Sequence, residues 1–318
     1  RDICCNAPCS GNAHHKCSFC AFYYARFSSS TIHKRNSFYR RSASGDIFRK
    51  ENRTKRCARK HCPNLSIIID NPIQNLTGVL RCSRYAFGPN RLHYCGPDAN
   101  REILEYVRHG VTDPGLEKLL AAFQTMYPYL KHIAEANGIK DHFDKRVVEA
   151  YWIGNELLET IEKKKFRRHL LENLNIKKKI GTKPFERVED AIRKNAVPHH
   201  SFHVLSIWKR TGNLDQMHTL ESMDQCRISW GTITNIDGPF ITVSAESLML
   251  ENGKLALGKP TIKKLVRSLE SDHDIELLKL GDIVSIHWGI ICEVITKKQA
   301  ATLKKYTLRH IRLANLTI

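Results

Sequence analysis

Through the middle of the chain, apolar residues recur every three or four positions; near the end they alternate. Ile103, Leu104 and Val107 share one side of a predicted helix over residues 98–109. Asp98 stands at its start and Gly110 at its end. Asp113-Pro114 is a capping carboxylate followed by a first-turn proline. The face that follows is Leu116, Leu119, Leu120, Phe123, Tyr127 and Leu130, with a kink expected at Pro128. A third helix begins near Asp141, with Phe143, Val147, Tyr151 and Leu158 on one stripe and Asn155 as a core amide. A basic helix near residues 164–174 and one from Thr182, burying Phe185, Val188 and Ile192, complete the set. Residues 79–197 therefore read as one helical domain.

From residue 218 the period changes to two. Residues 228–243 alternate as two strands joined at Asp237-Gly238. A hairpin over residues 248–257 turns at Asn252-Gly253, and residues 261–266 form a further strand. Two last strands lie at 282–287 and 290–295, and Thr296 caps a closing helix that reaches about His310. Short strands plus a helix predict a small OB-like β-barrel over residues 218–318. The fold class is thus α+β: a helical domain, then a barrel with a C-terminal helix.

The first 78 residues show neither period. They hold two leucines and seven of the eleven cysteines; residues 1–80 carry 14 Lys/Arg against 4 Asp/Glu. So little apolar area leaves chain entropy unopposed. This basic, Cys-rich segment is expected to be disordered or non-native, as upstream sequence read in frame. Cys17 and Cys20 have zinc-ligand spacing, with Cys5 and Cys9 nearby, but the second half of a knuckle is irregular.

The chain has 318 residues, 42% apolar and 26% charged. No stretch approaches a membrane span and no signal sequence opens it, so no membrane partner is expected. Reduced thiols in a cytoplasm follow. The net charge of +19 fits an OB-like nucleic-acid-binding module. That reading ranks last, because Trp230 and Phe240 are the only aromatics on those strands before Trp288.

Between the two parts, residues 198–217 form a His-rich junction. In Pro198-His199-His200-Ser201-Phe202-His203, a helix puts His199 and His203 one turn apart, and a strand puts them on one face with His200 opposite. The expected chelating pair is His199 and His203. A metal-dependent enzyme using them with Cys95, in a cleft between the domains, is one reading. No P-loop, dinucleotide fingerprint or Ser-His-Asp set supports catalysis.

Two motifs give the other reading. Cys226, Gly231, Ile233, Ile236, Asp237 and Gly238 form the first. Gly281, Asp282, Val284, His287 and Gly289 form the second. Over residues 225–312 the chain resembles the HypC/HupF family of hydrogenase assembly chaperones. Residues from about 80 to 200 resemble an uncharacterised prokaryotic family, with no chemistry implied. The first resemblance implies a non-enzymatic accessory protein for nickel–iron hydrogenase maturation. Its partners would be the hydrogenase large subunit or another maturation protein. Cys226 would ligate an iron fragment as thiolate, with His287 ligating or orienting it; zinc is the alternative metal. The family's Cys is amino-terminal, whereas Cys226 is internal and has no free amine beside it. His199 and His203 are expected to supply the missing nitrogens, and Cys95 and Cys292 are further thiol candidates.

Overall fold

The computed structural model describes residues 76–208, 219–266 and 277–317. The Cys-rich segment up to residue 75 lies outside them, as do residues 209–217 of the His-rich junction. All the described residues belong to one compact unit.

Eleven α-helices are present among the described residues. They are α1 (Gly78–Asn90), α2 (Asn100–His109), α3 (Pro114–Ala121), α4 (Met126–Ala136) and α5 (Lys145–Trp152). Next come α6 (Lys163–Arg168), α7 (Ile176–Ile180), α8 (Thr182–Arg193) and the short α9 (His200–Phe202). The last two are α10 (Leu220–Cys226) and α11 (Lys297–Asn315). The protein is α+β, with the helical part before the strands and a helix at the C-terminal end.

Local chemistry explains most helix ends. Asp113 caps α3 by accepting from the Leu116 N–H at 2.9 Å, with Pro114 in the first turn. Thr296 and Gln299 form a capping box on α11. The expected single helix with a kink at Pro128 is instead two helices. Pro128 sits in the first turn of α4, where a missing N–H costs little. Asn155 is no core amide: it caps the turn after α5 by accepting from Leu157, and donates to the Arg146 carbonyl.

The strands are β1 (Ser229–Asp237), β2 (Phe240–Glu251), β3 (Lys254–Val266), β4 (Ile283–His287) and β5 (Ile290–Val294). All pairs are antiparallel, in the order β3-β2-β1-β4-β5. This corrects the expected barrel to an open sheet. Closure requires β3 to pair with β5, but α1 packs against β5 instead. The expected hairpin and following strand are one ladder, with Asn252 and Gly253 both at positive φ in its turn. Pro260 is tolerated because β3 is an edge, opposite a register shift in β2.

The helical part and the sheet share a core. One apolar cluster runs from Tyr85, Ile103 and Leu130 through Trp152 to Ile228 and Leu303. Ile233, Val243, Val284 and Ile286 build a second cluster within the sheet. Val204, Leu248, Leu255 and Ile311 build a third, under α11.

A polar network locks α1 to the β4–β5 hairpin inside this core. Arg81 donates to Glu293 Oε1 from Nε at 2.9 Å and from Nη2 at 2.6 Å. Its Nη1 reaches Glu149 Oε2 at 3.3 Å. The Tyr85 hydroxyl donates to the same Glu293 oxygen at 2.6 Å and lies 2.8 Å from Ser285 Oγ. Removing one partner of a buried pair strands the other's charge, so Glu293→Ala should cost about 3–5 kcal/mol. Urea unfolding would measure this; a change under about 1 kcal/mol would show that the seam does not hold the fold together.

Candidate metal centre

Three elements end at one point: the first residue of α9, the last of α10 and the last of β4. They bring His200, Cys226 and His287 together, with one ligand atom of each within 4.8 Å of the others. His200 and His287 are buried and Cys226 is half-buried. The two imidazoles meet edge to face, centroids 5.1 Å apart. Trp152 walls both, at 4.7 Å from His200 and 5.6 Å from His287.

Each residue is aimed by its neighbours. His287 Nδ1 lies 2.7 Å from the Tyr85 carbonyl on α1. A carbonyl only accepts, so Nδ1 carries the proton and Nε2 carries the lone pair. That Nε2 is buried with no hydrogen-bond partner. A metal-ligating histidine has this arrangement, one nitrogen tied to an acceptor and the other bare. Gly88 lets α1 come this close: a Cβ there would stand 2.6 Å from the His287 carbonyl oxygen.

His200 Nε2 donates to the Cys226 carbonyl at 2.8 Å. Its Nδ1 therefore bears the lone pair, and it accepts from the Tyr151 hydroxyl at 3.1 Å. Cys226 is held by the residue after it. Arg227, fully buried, donates to Asp224 Oδ1 at 2.8 Å and to the Glu246 carbonyl at 2.5 Å, pinning α10 to β2. The Trp288 backbone N–H donates to the Gln225 carbonyl at 2.9 Å, and its indole lies near the Cys226 thiol. Trp288 and Gly289 form the two-residue turn between β4 and β5, both at positive φ. Stacking on Tyr94 at 4.1 Å helps hold this uncommon conformation for a tryptophan.

Burial sets the charge states. It pushes His287 down to about 4, against the pull of the Tyr85 carbonyl. It holds His200 well below the ordinary imidazole value, with His287 adding to the effect. The Cys226 thiol is pushed well up, by burial first and by Cys95 next. All three side chains are neutral near pH 7. Two neutral imidazoles and a thiol suit zinc or iron; to ligate, His200 must exchange its hydrogen bond to Tyr151 or to the Cys226 carbonyl for the metal, and the cation would draw off the thiol proton.

Cys226 and His287 thus meet, although 60 residues of sequence lie between them. The third member is His200, a correction to the expected pair His199 and His203. His199 caps α9; its Nδ1 accepts from the Ser201 N–H at 3.1 Å and its ring stacks on Tyr306. His203 Nδ1 lies 3.5 Å from the Tyr129 hydroxyl. Cys95 packs against the helical core, its thiol pushed up to about 11 by burial. Cys292 is buried on β5, its Sγ 3.7 Å from the Ile290 carbonyl. Neither belongs to the cluster, and the expected grouping of His199, His203 and Cys95 does not form.

A buried His/Cys/His cluster where a helical layer meets an open sheet defines the class. The family model for DUF6390, a family of unknown function, matches residues 74–318, and the chain belongs to that family. No curated protein and no solved structure matches it. Among the described residues, no helix is long and apolar enough to cross a membrane.

The buried histidines make the metal-free protein acid-sensitive. Burial pushes His132 and His287 down to about 4 and His169 and His199 to about 3. Unfolded imidazoles titrate near 6.5. Between these values the unfolded chain binds more protons, so stability is full above about pH 6.5 and is lost as pH falls toward 4. The loss is on the order of 1 kcal/mol per histidine per pH unit. The urea midpoint of chelator-treated protein should be flat from pH 7 to 8 and drop steadily below about 6.5; a flat profile down to pH 5 would contradict it.

Proposed function

We propose that this protein is a non-enzymatic accessory protein that holds a metal ion at His200, Cys226 and His287. The observation that carries the reading is the convergence of His200, Cys226 and His287, with one possible ligand atom of each within 4.8 Å of the others. Three protein ligands leave a coordination position for a further ligand. Such a site suits a metal carried with other groups attached, or passed onward.

The finer reading rests on the resemblance to hydrogenase assembly chaperones. Its two motif residues, Cys226 and His287, are two of the three cluster members. On that reading the metal is iron, with zinc as the alternative, and the partner is an immature hydrogenase large subunit or another maturation protein. His200 takes the place proposed for a nitrogen ligand beside an internal Cys. The compartment that fits is the cytoplasm, where the four described cysteines, all free thiols, stay reduced.

Metal analysis after anaerobic co-expression with a hydrogenase operon tests this. Wild type should carry about one metal per chain. Cys226→Ala, His287→Ala and His200→Ala should each lose most of it, while His203→Ala retains it. Equal metal in all four variants would sink the metal reading. Metal loss with undiminished hydrogenase maturation would leave the site and remove the hydrogenase assignment.

A further inference from the structure

Beside the buried cluster lies an open cleft of about 970 Å³, between α1, α2 and the sheet. Its apolar lining includes Phe87, Leu104, Ile241, Leu265, Ile286 and Ile291. Five cationic side chains also line it: Arg84, Arg91, Arg101, Lys263 and Lys264. The two lining carboxylates are already engaged. Asp224 is held by Arg227 and Lys263, and Glu293 by Arg81. Arg91, Arg101 and Lys264 are exposed and have no carboxylate partner among the described residues. Lys264 stands over the Phe240 ring at 3.7 Å.

The cleft borders the metal centre. Gln225 and Trp288 line it, and they flank Cys226 and His287 in sequence. Trp288 lines the cleft and lies near the Cys226 thiol.

We propose that this cleft binds an extended, acidic segment of a partner polypeptide, with carboxylates on Arg91, Arg101 and Lys264 and apolar side chains on the lining between them. Interleaved cations and apolar surface select a chain that alternates the two kinds of group. The inference rests on the metal-holding reading, because docking here sets the partner beside Trp288, next to the thiol.

The probe is a fluorescein-labelled eight-residue peptide of alternating Glu and Leu, titrated with the full chain and followed by anisotropy. A Lys/Leu peptide of the same length is the control. The acidic peptide should bind, the basic one should not, and added salt should weaken binding. Arg91→Glu/Arg101→Glu/Lys264→Glu should weaken it by at least about tenfold. Arg101→Glu alone, on an exposed helix position, should weaken it by about threefold. Reversing Lys177, Lys178 and Lys179 on α7, outside the cleft, should leave it unchanged.

No binding, equal binding of the basic peptide, or an equal loss in the α7 variant would overturn the proposal. So would displacement of the peptide by inorganic phosphate or glutarate at matched concentration, which would assign the cleft to a small anion. Metal content of the same proteins separates the two readings. A chain that loads metal but not peptide removes the docking alone; one that binds peptide but never metal removes the metal-holding reading.

Discussion

The seam between α1 and the β4–β5 hairpin is the contact on which the other features depend. One helical turn supplies the Tyr85 carbonyl that fixes the His287 tautomer, the Tyr85 hydroxyl that meets Ser285 and Glu293, and the glycine that admits the His287 carbonyl. Arg81, one turn earlier, neutralises Glu293. His287 Nε2 is among the buried polar atoms here that make no hydrogen bond. An unsatisfied buried nitrogen is costly, and this one differs from the others in lying beside a thiol and a second imidazole.

The cluster is made by desolvation more than by charge. No carboxylate belongs to it, so nothing within it would hold an imidazolium or reward an ionised thiol. Trp152, Tyr151 and Trp288 surround it and keep all three groups neutral. A neutral N₂S donor set favours a borderline or soft metal over calcium or magnesium, which take oxygen ligands. The same burial ties metal binding to proton release, because the thiol must lose its proton as the metal enters.

Much of this was legible in the sequence, and what was not has physical causes. The change of apolar period located the helical part and the strands, and Thr296 was read correctly as a cap. The motifs around Cys226 and His287 named two of the three cluster members. Spacing pointed to His199 and His203 as the chelating pair, but it is His200, the first residue of α9, that reaches the cluster. What decides between the histidines is where α10 and β4 end, and period cannot show that. The helix α1 was missed because Gly88-Pro89 reads as a turn. Its Gly88 answers to a neighbour more than 190 residues away, the His287 carbonyl. The barrel was over-read for a related reason: strand lengths are local, whereas closure depends on which element meets the last edge.

The closed cluster and the open cleft require different chemistry, and Trp288 belongs to both. A metal held by a neutral, desolvated set gains nothing from nearby cations, which repel it. A cleft that collects carboxylates needs those cations and needs water around them. The hairpin turn sets one indole between the two environments, near the thiol and stacked on Tyr94. Phenylalanine there would keep a ring but lose the indole N–H. A small residue would join the cleft to the cluster and let water reach both imidazoles. The positive φ at Trp288 adds to this, since the turn itself would accept glycine or asparagine with less strain. A bulky aromatic at that position is therefore explained by what it separates, not by the turn it sits in.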